Sequence, residues 1–188
     1  MTLFQIIMLA ASAFFAFKVY EHIQLLQDPK QSVDDSSPSS FDPEVLIRKA
    51  DEAFDDNDLQ TALPLYVEAN AKVPQDSEIL FKIGYIFQQL NNNGEALAYY
   101  KKALEKDREN EYIHNSIATI YRAEGEFASA KMHLNASLAL NDKNPVTYYN
   151  YGNLLVQTKH IDEAKEMYKK AIDLKEDFKE AKEELEKL

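Results

Sequence analysis

The 188-residue chain contains no cysteine, no tryptophan and only four glycines. Without thiols there is no disulfide framework, no thiolate zinc or iron–sulfur site, no cysteine nucleophile and no cysteine for a lipoprotein anchor. Four glycines are too few for a barrel of short strands with tight turns, or for a Gly-rich phosphate loop. Basic residues are outnumbered, 21 Lys and Arg against 32 Asp and Glu, giving a formal net charge of −11. That balance argues against binding by phosphate neutralisation, so no nucleic-acid partner is expected. His22, His114, His133 and His160 form no H-x-x-x-H or H-E-x-x-H pair, and there is no G-x-S-x-G elbow or other nucleophile motif. No metal, cofactor or catalytic activity is expected, and the many carboxylates read as solvated helix faces.

What is present divides unevenly. Residues 1–20 hold one Lys and no acid, whereas the remainder holds every acidic residue. From Leu3 to Val19 the sequence reads LFQIIMLAASAFFAFKV, interrupted only by Gln5, Ser12 and Lys18. A helix of that length spans roughly 26 Å, close to the thickness of a bilayer core. Its strongly apolar side chains favour insertion by roughly 3–5 kcal/mol. A cleaved signal peptide needs a basic stretch at its start, and no Lys or Arg precedes Lys18. A buried globular helix is apolar on one stripe rather than all round. The pattern therefore predicts a transmembrane anchor helix over 1–22, making the chain a single-pass membrane protein held through residues 3–19. Basic residues follow the span and none precede it, which places the C-terminal body in the cytoplasm, with a periplasmic body as the alternative. Residues 23–42, rich in Ser, Pro and Asp, read as a flexible acidic linker.

Beyond the linker the chain repeats itself. Ala62, Ala96, Ala130 and Ala164 are spaced by 34 residues, as are the small residues Ala50, Gly84, Ala118 and Gly152. Tyr66, Tyr100, Leu134 and Tyr168 form a third column, and Ala69, Ala103, Ser137 and Ala171 a fourth. Small residues repeated at this spacing let two helices approach closely, while large ones between them fill the core. Asn91-Asn92-Asn93-Gly94, Glu124-Gly125-Glu126 and Lys159-His160-Ile161 interrupt the pattern at matching places, with Gly94 and Gly125 read as turn residues. Asp42-Pro43 and Asn144-Pro145 are N-cap and first-turn pairs, and Asp76 and Asn110 are placed to cap the other two copies.

The pattern resembles the tetratricopeptide repeat family. The second copy carries it in Leu80, Ile83, Gly84, Phe87, Ala96, Tyr100 and Ala103, and the fourth in Tyr148, Tyr151, Gly152, Leu155, Ala164, Tyr168 and Ala171. The first copy departs at Lys49 and Ala53, and the third at His114. The resemblance implies an all-α fold, a right-handed helical-hairpin solenoid. Its four repeats cover 43–76, 77–110, 111–144 and 145–178, with a capping helix over 179–188; Phe178 just before it and Ala181, Leu185 and Leu188 within it fall at helical spacing.

The resemblance also implies a concave groove, lined by the second, fifth, ninth and twelfth residues of each copy. Here these are Glu44, Ile47, Asp51 and Phe54; Glu78, Phe81, Tyr85 and Gln88; Tyr112, Asn115, Thr119 and Arg122; Val146, Tyr149, Asn153 and Val156. The candidates for partner contact are Phe54, Phe81, Tyr85, Tyr112, Asn115, Arg122, Tyr149 and Asn153. Aromatics with amide neighbours suit an extended peptide, whose backbone needs donors and acceptors. Ile47 and Asp51 stand where a clamp for C-terminal carboxylates needs Lys and Asn. The first copy carries 8 acidic against 3 basic residues, a balance suited to a basic segment. The expected function is a membrane-anchored adaptor binding a protein or peptide partner. The alternatives are a structural subunit of an envelope assembly, as a homo- or hetero-oligomer, and an extracytoplasmic factor assisting protein folding.

Overall fold

The computed structural model describes residues 42–74 and 76–188. The expected anchor over 1–22 lies outside the described residues, as does the linker except for Asp42. Among the described residues no helix is long and apolar enough to cross a membrane. They form nine helices and no strand: α1 Pro43–Asp55, α2 Leu59–Lys72, α3 Ser77–Gln89, α4 Asn93–Lys106, α5 Glu111–Ala123, α6 Phe127–Leu140, α7 Pro145–Gln157, α8 Ile161–Leu174 and α9 Lys179–Glu186. α1/α2, α3/α4, α5/α6 and α7/α8 are hairpins stacked in chain order, and α9 packs against α8.

Local chemistry sets the helix boundaries. Asp42, Asp76, Asn110 and Asn144 each accept, through a side-chain oxygen, the second backbone N–H of the helix they precede, at 2.8–3.1 Å. This satisfies a donor that the helix itself leaves unpaired. Between the helices of each hairpin, one residue takes the left-handed conformation: Asn57 (φ 58°), Asn91 (59°), Gly125 (81°) and Lys159 (64°). They recur every 34 residues, and Lys159 holds this conformation at a steric cost that glycine and asparagine largely avoid. The expected turn at Gly94 is corrected here. Gly94 lies in the first turn of α4, and Asn91 makes the turn instead.

The hairpins close over the small-residue columns. A Cβ built on Gly84 falls 2.7 Å from Tyr100 Cδ1, and one on Gly152 falls 2.5 Å from Tyr168 Cε1. The tyrosine of the second helix therefore lies in the space that a first-helix side chain would occupy. In the third hairpin Ala118 and Leu134 hold these positions and share one buried cluster. Between hairpins the seams are apolar at Ala69 with Ile79 and at Ala103 with Ile113. Between the third and fourth they become polar: Ser137 and Thr147 are fully buried and their hydroxyl oxygens lie 3.0 Å apart. At the C-terminal end Phe178 and Ala181 are buried against Ala171, and Leu185 and Leu188 pack against the cluster of Leu155, Ala164 and Tyr168. α9 thus covers the last hairpin's apolar face.

Gly152→Ala is expected to destabilise the fold by about 1–3 kcal/mol, since the tyrosine ring must move. Urea unfolding of Gly152→Ala, Tyr168→Leu and the double variant checks the cause. The double variant, which copies the Ala118/Leu134 pair, is expected to lose less than the sum of the two single losses.

Candidate functional site

The first helices of all four hairpins, α1, α3, α5 and α7, contribute side chains to a groove of about 1020 Å³. Of the eight expected contact residues, Phe54, Phe81, Tyr85, Tyr112 and Asn115 line it, whereas Arg122, Tyr149 and Asn153 do not. Phe54 is half-buried, edge-on to Tyr66 at 6.2 Å and to Tyr85 at 5.5 Å. Phe81 is half-buried against Tyr100, with ring centroids 5.5 Å apart. Tyr85 and Tyr112 are open to solvent, at 37% and 58% exposure. They are the aromatic surfaces that a ligand reaches without rearranging the core.

Asn115 does something other than offer its amide to a ligand. It is 5% exposed, and its Nδ2 lies 2.7 Å from Thr147 Oγ1, 2.9 Å from Ser137 Oγ and 3.2 Å from the Glu111 carbonyl. Its Oδ1 accepts from Asn150 at 3.4 Å. The amide therefore ties the third hairpin to the fourth, giving each of two buried hydroxyl oxygens a donor. The sequence carries a signal for this: Ser137 and Thr147 occupy columns that hold Ala, and Val or Ile, in the other copies. Tyr149 packs on Phe178 of the cap at 5.2 Å. Asn153 accepts the Tyr168 hydroxyl at 2.8 Å. Arg122 is half-buried at the end of α5, and its Nε has no hydrogen-bond partner.

The groove also uses residues that the expected stripe omits. Lys82, Ser116 and Asn150 line it, each four residues beyond the second residue of its copy, and so one helical turn along the same face. Asp76 and Asp107 line it as well, from the segments that lead into α3 and α5. Lys82 Nζ lies 2.8 Å from Asp51 Oδ1 and 2.9 Å from Glu78 Oε1. The Tyr66 hydroxyl donates to the same Asp51 oxygen. Burial raises the Asp51 pKa, but the Lys82 and Tyr66 hydrogen bonds and the Lys82 charge outweigh it and hold the carboxyl below its usual range. Burial lowers the Lys82 pKa, and the two carboxylates overturn that and raise it. Asp51 and Lys82 are thus both charged at neutral pH, and the groove's one lysine among the described lining residues is held between two carboxylates.

Three hairpins tie their core to a polar residue of the first helix in the same way. Tyr66 donates to Asp51, Tyr100 to Gln88 at 2.8 Å, and Tyr168 to Asn153 at 2.8 Å. Burial raises the pKa of all three hydroxyls, that of Tyr168 to about 12. They remain protonated donors at every physiological pH. The residues they reach lie on α1, α3 and α7, and Gln88 among them lines the groove.

With that geometry described, likeness to known proteins decides the family. Two models of the tetratricopeptide repeat match, over residues 47–111 and 111–177. The chain belongs to the tetratricopeptide repeat family. It is 29% identical over 101 residues to the type IV pilus assembly protein PilF of Pseudomonas aeruginosa, covering 54% of this chain and 39% of that protein. The match therefore spans less than half of PilF. The first TPR of Spaghetti (RPAP3), solved bound to the HSP90 peptide SRMEEVD, is 26% identical with a TM-score of 0.57, covering 60% of this chain and 90% of that one. YrrB, described as a TPR protein with an unusual peptide-binding site, superposes with a TM-score of 0.68 at 19% identity, over 80% of this chain and 77% of that one.

Away from the groove, the third hairpin holds a polar pair where the others are apolar. His114 and His133 occupy the columns of Leu80 and Tyr99 in the second copy and of Tyr148 and Met167 in the fourth. Their Nδ1 atoms lie 3.0 Å apart, so one is protonated and the other accepts. Burial lowers both pKa values, with a bond to the Arg108 backbone partly opposing it at His114. His133 falls to about 4, the His114 and Lys101 charges adding to burial.

Because both folded values lie below the unfolded value of about 6.5, the unfolded chain binds more protons once the pH drops below it. Stability is therefore expected to fall on acidification from about pH 6.5 towards pH 4, by about 1 kcal/mol after allowance for solvent screening. Urea unfolding at a series of pH values checks this, with His133→Leu expected to flatten that part of the profile.

Proposed function

We propose that the chain is a membrane-anchored adaptor: residues 3–19 sit in a bilayer, and the groove across α1, α3, α5 and α7 holds an extended segment of a partner protein. The observation that carries the reading is the exposure of Tyr85 and Tyr112 inside a groove whose other aromatics are engaged with the core. A large aromatic left open in a concavity is a binding anchor, because it supplies contact area at little entropic cost. The RPAP3 neighbour, which holds an HSP90 peptide, supports a protein or peptide partner. The work proposed for the groove is binding. Anchoring would raise the local concentration of the partner at the membrane without any further contact.

A second reading rests on the PilF relative, whose name is that of a pilus assembly protein. In it, the chain is a lodged component of an envelope assembly, and Met132, Leu140 and Leu174, exposed on second helices, meet other subunits.

Proximity labelling from the full-length chain separates the two. Tyr85→Ala with Tyr112→Ala is expected to lower labelling of the partner roughly tenfold, the loss of two aromatic anchors, with the helical circular-dichroism signal unchanged. Equal labelling by wild type and variant, with loss on Met132→Lys, would favour the second reading. Alkaline phosphatase fused to the C-terminus tests the side of the membrane. It is expected to be inactive, because the proposed topology keeps the solenoid in the cytoplasm.

A further inference from the structure

The charge of the groove narrows what it accepts. Its lining carries three carboxylates, Asp76, Glu78 and Asp107, against the single ammonium of Lys82. That ammonium is committed to Asp51 and Glu78 at 2.8 and 2.9 Å. A carboxylate entering the groove would meet like charges and would have to break this bridge to find a cation, a cost of the kind that rejects a wrong partner. An arginine or lysine side chain meets the opposite situation. It finds Asp76 and Asp107, which no lysine or arginine among the described residues bridges, the outer side of Glu78, and the exposed ring of Tyr112 at the start of α5, on whose face a guanidinium or ammonium can rest. Ser116, Thr119 and Asn150 supply hydroxyl and amide groups for the backbone of a segment laid across the helices.

Resting on the adaptor reading above, we infer that the groove selects an extended, basic segment of a partner protein, with an arginine or lysine seated between the Tyr112 ring and the carboxylates of Asp76, Glu78 and Asp107. The segment's remaining residues lie over Tyr85 and Phe54, where apolar side chains fit.

The test uses the full-length chain in detergent and acetylated, amidated heptapeptide pools in which the central residue is Arg, Lys, Asp, Glu or Leu and the others are randomised. Retention of the Arg and Lys pools is expected to exceed that of the Asp and Glu pools roughly five- to tenfold at low salt, and the difference is expected to shrink as salt rises. Asp76→Asn/Glu78→Gln/Asp107→Asn removes three carboxylate charges while keeping the caps, since asparagine still caps a helix or turn, and leaves Lys82 bridged to Asp51. It is expected to abolish the difference between pools, and Tyr112→Ala is expected to weaken the Arg pool most. Preference for the Asp and Glu pools, lost on Tyr112→Ala, would overturn the charge inference and leave the groove reading intact. Absence of retention, or retention indifferent to Tyr112→Ala, would overturn both. Two controls address other occupants. A peptide of residues 27–42, displacing the Arg pool at equal concentration, would assign the groove to the chain's own acidic segment. Self-association lost on Tyr112→Ala would assign it to a second copy. Either result contradicts the inference.

Discussion

Each hairpin depends on a place where one helix has almost no side chain and the other lays a large residue across it. Glycine at 84 and 152 leaves room for the rings of Tyr100 and Tyr168, which approach to within 2.8 Å of where a Cβ would stand. The ring fills the core, and its hydroxyl continues through to the opposite face, where it meets Gln88 or Asn153. One side chain thus does two jobs: it sets the distance between the helices and it fixes a polar residue on the first helix. In the third hairpin Leu134 replaces the tyrosine and Ala118 the glycine. No hydroxyl arrives there, and Thr119 instead donates to the Asn115 carbonyl of its own helix. The first helices α3 and α7 are in this way held from behind by the core.

The electrostatics of that face follow from the same arrangement. Tyr66 brings its hydroxyl to Asp51, and Asp51 in turn reaches Lys82 on the next hairpin. The pair is partly exposed and contributes about 0–1 kcal/mol as a surface ion pair. Its larger consequence is to occupy the only lysine among the described lining residues. The carboxylates that remain decide the sign of the groove.

Much of the architecture is legible in the sequence because helix packing needs small residues at fixed intervals. The 34-residue columns report that need directly. The caps at Asp42, Asp76, Asn110 and Asn144 are legible for a similar reason, since short polar side chains at a helix start have one dominant use. The left-handed turn column was harder to read. Asn57, Asn91, Gly125 and Lys159 share a conformation but not a residue type, and the nearby Gly94 drew attention to itself while sitting in a helix. The site was legible as a face, and less so residue by residue. Asn115 and Tyr149 fall on the expected stripe, yet a neighbouring hairpin or the cap claims each of them. A pattern within one helix cannot show what the next helix covers. Asp76 and Asp107 are hidden as groove residues for the converse reason: Asp76 reads as a helix cap, and Asp107 lies outside the expected stripe of its copy.

The central claim is that the surface shared by α1, α3, α5 and α7 is where this chain meets its partner. In-cell photocrosslinking addresses it directly, with a benzophenone amino acid placed in the full-length chain at Tyr112, inside the groove, or at Met132, which is 61% exposed on α6 and outside it. The account predicts a discrete adduct from Tyr112 and none from Met132. An adduct from Met132 alone would contradict it.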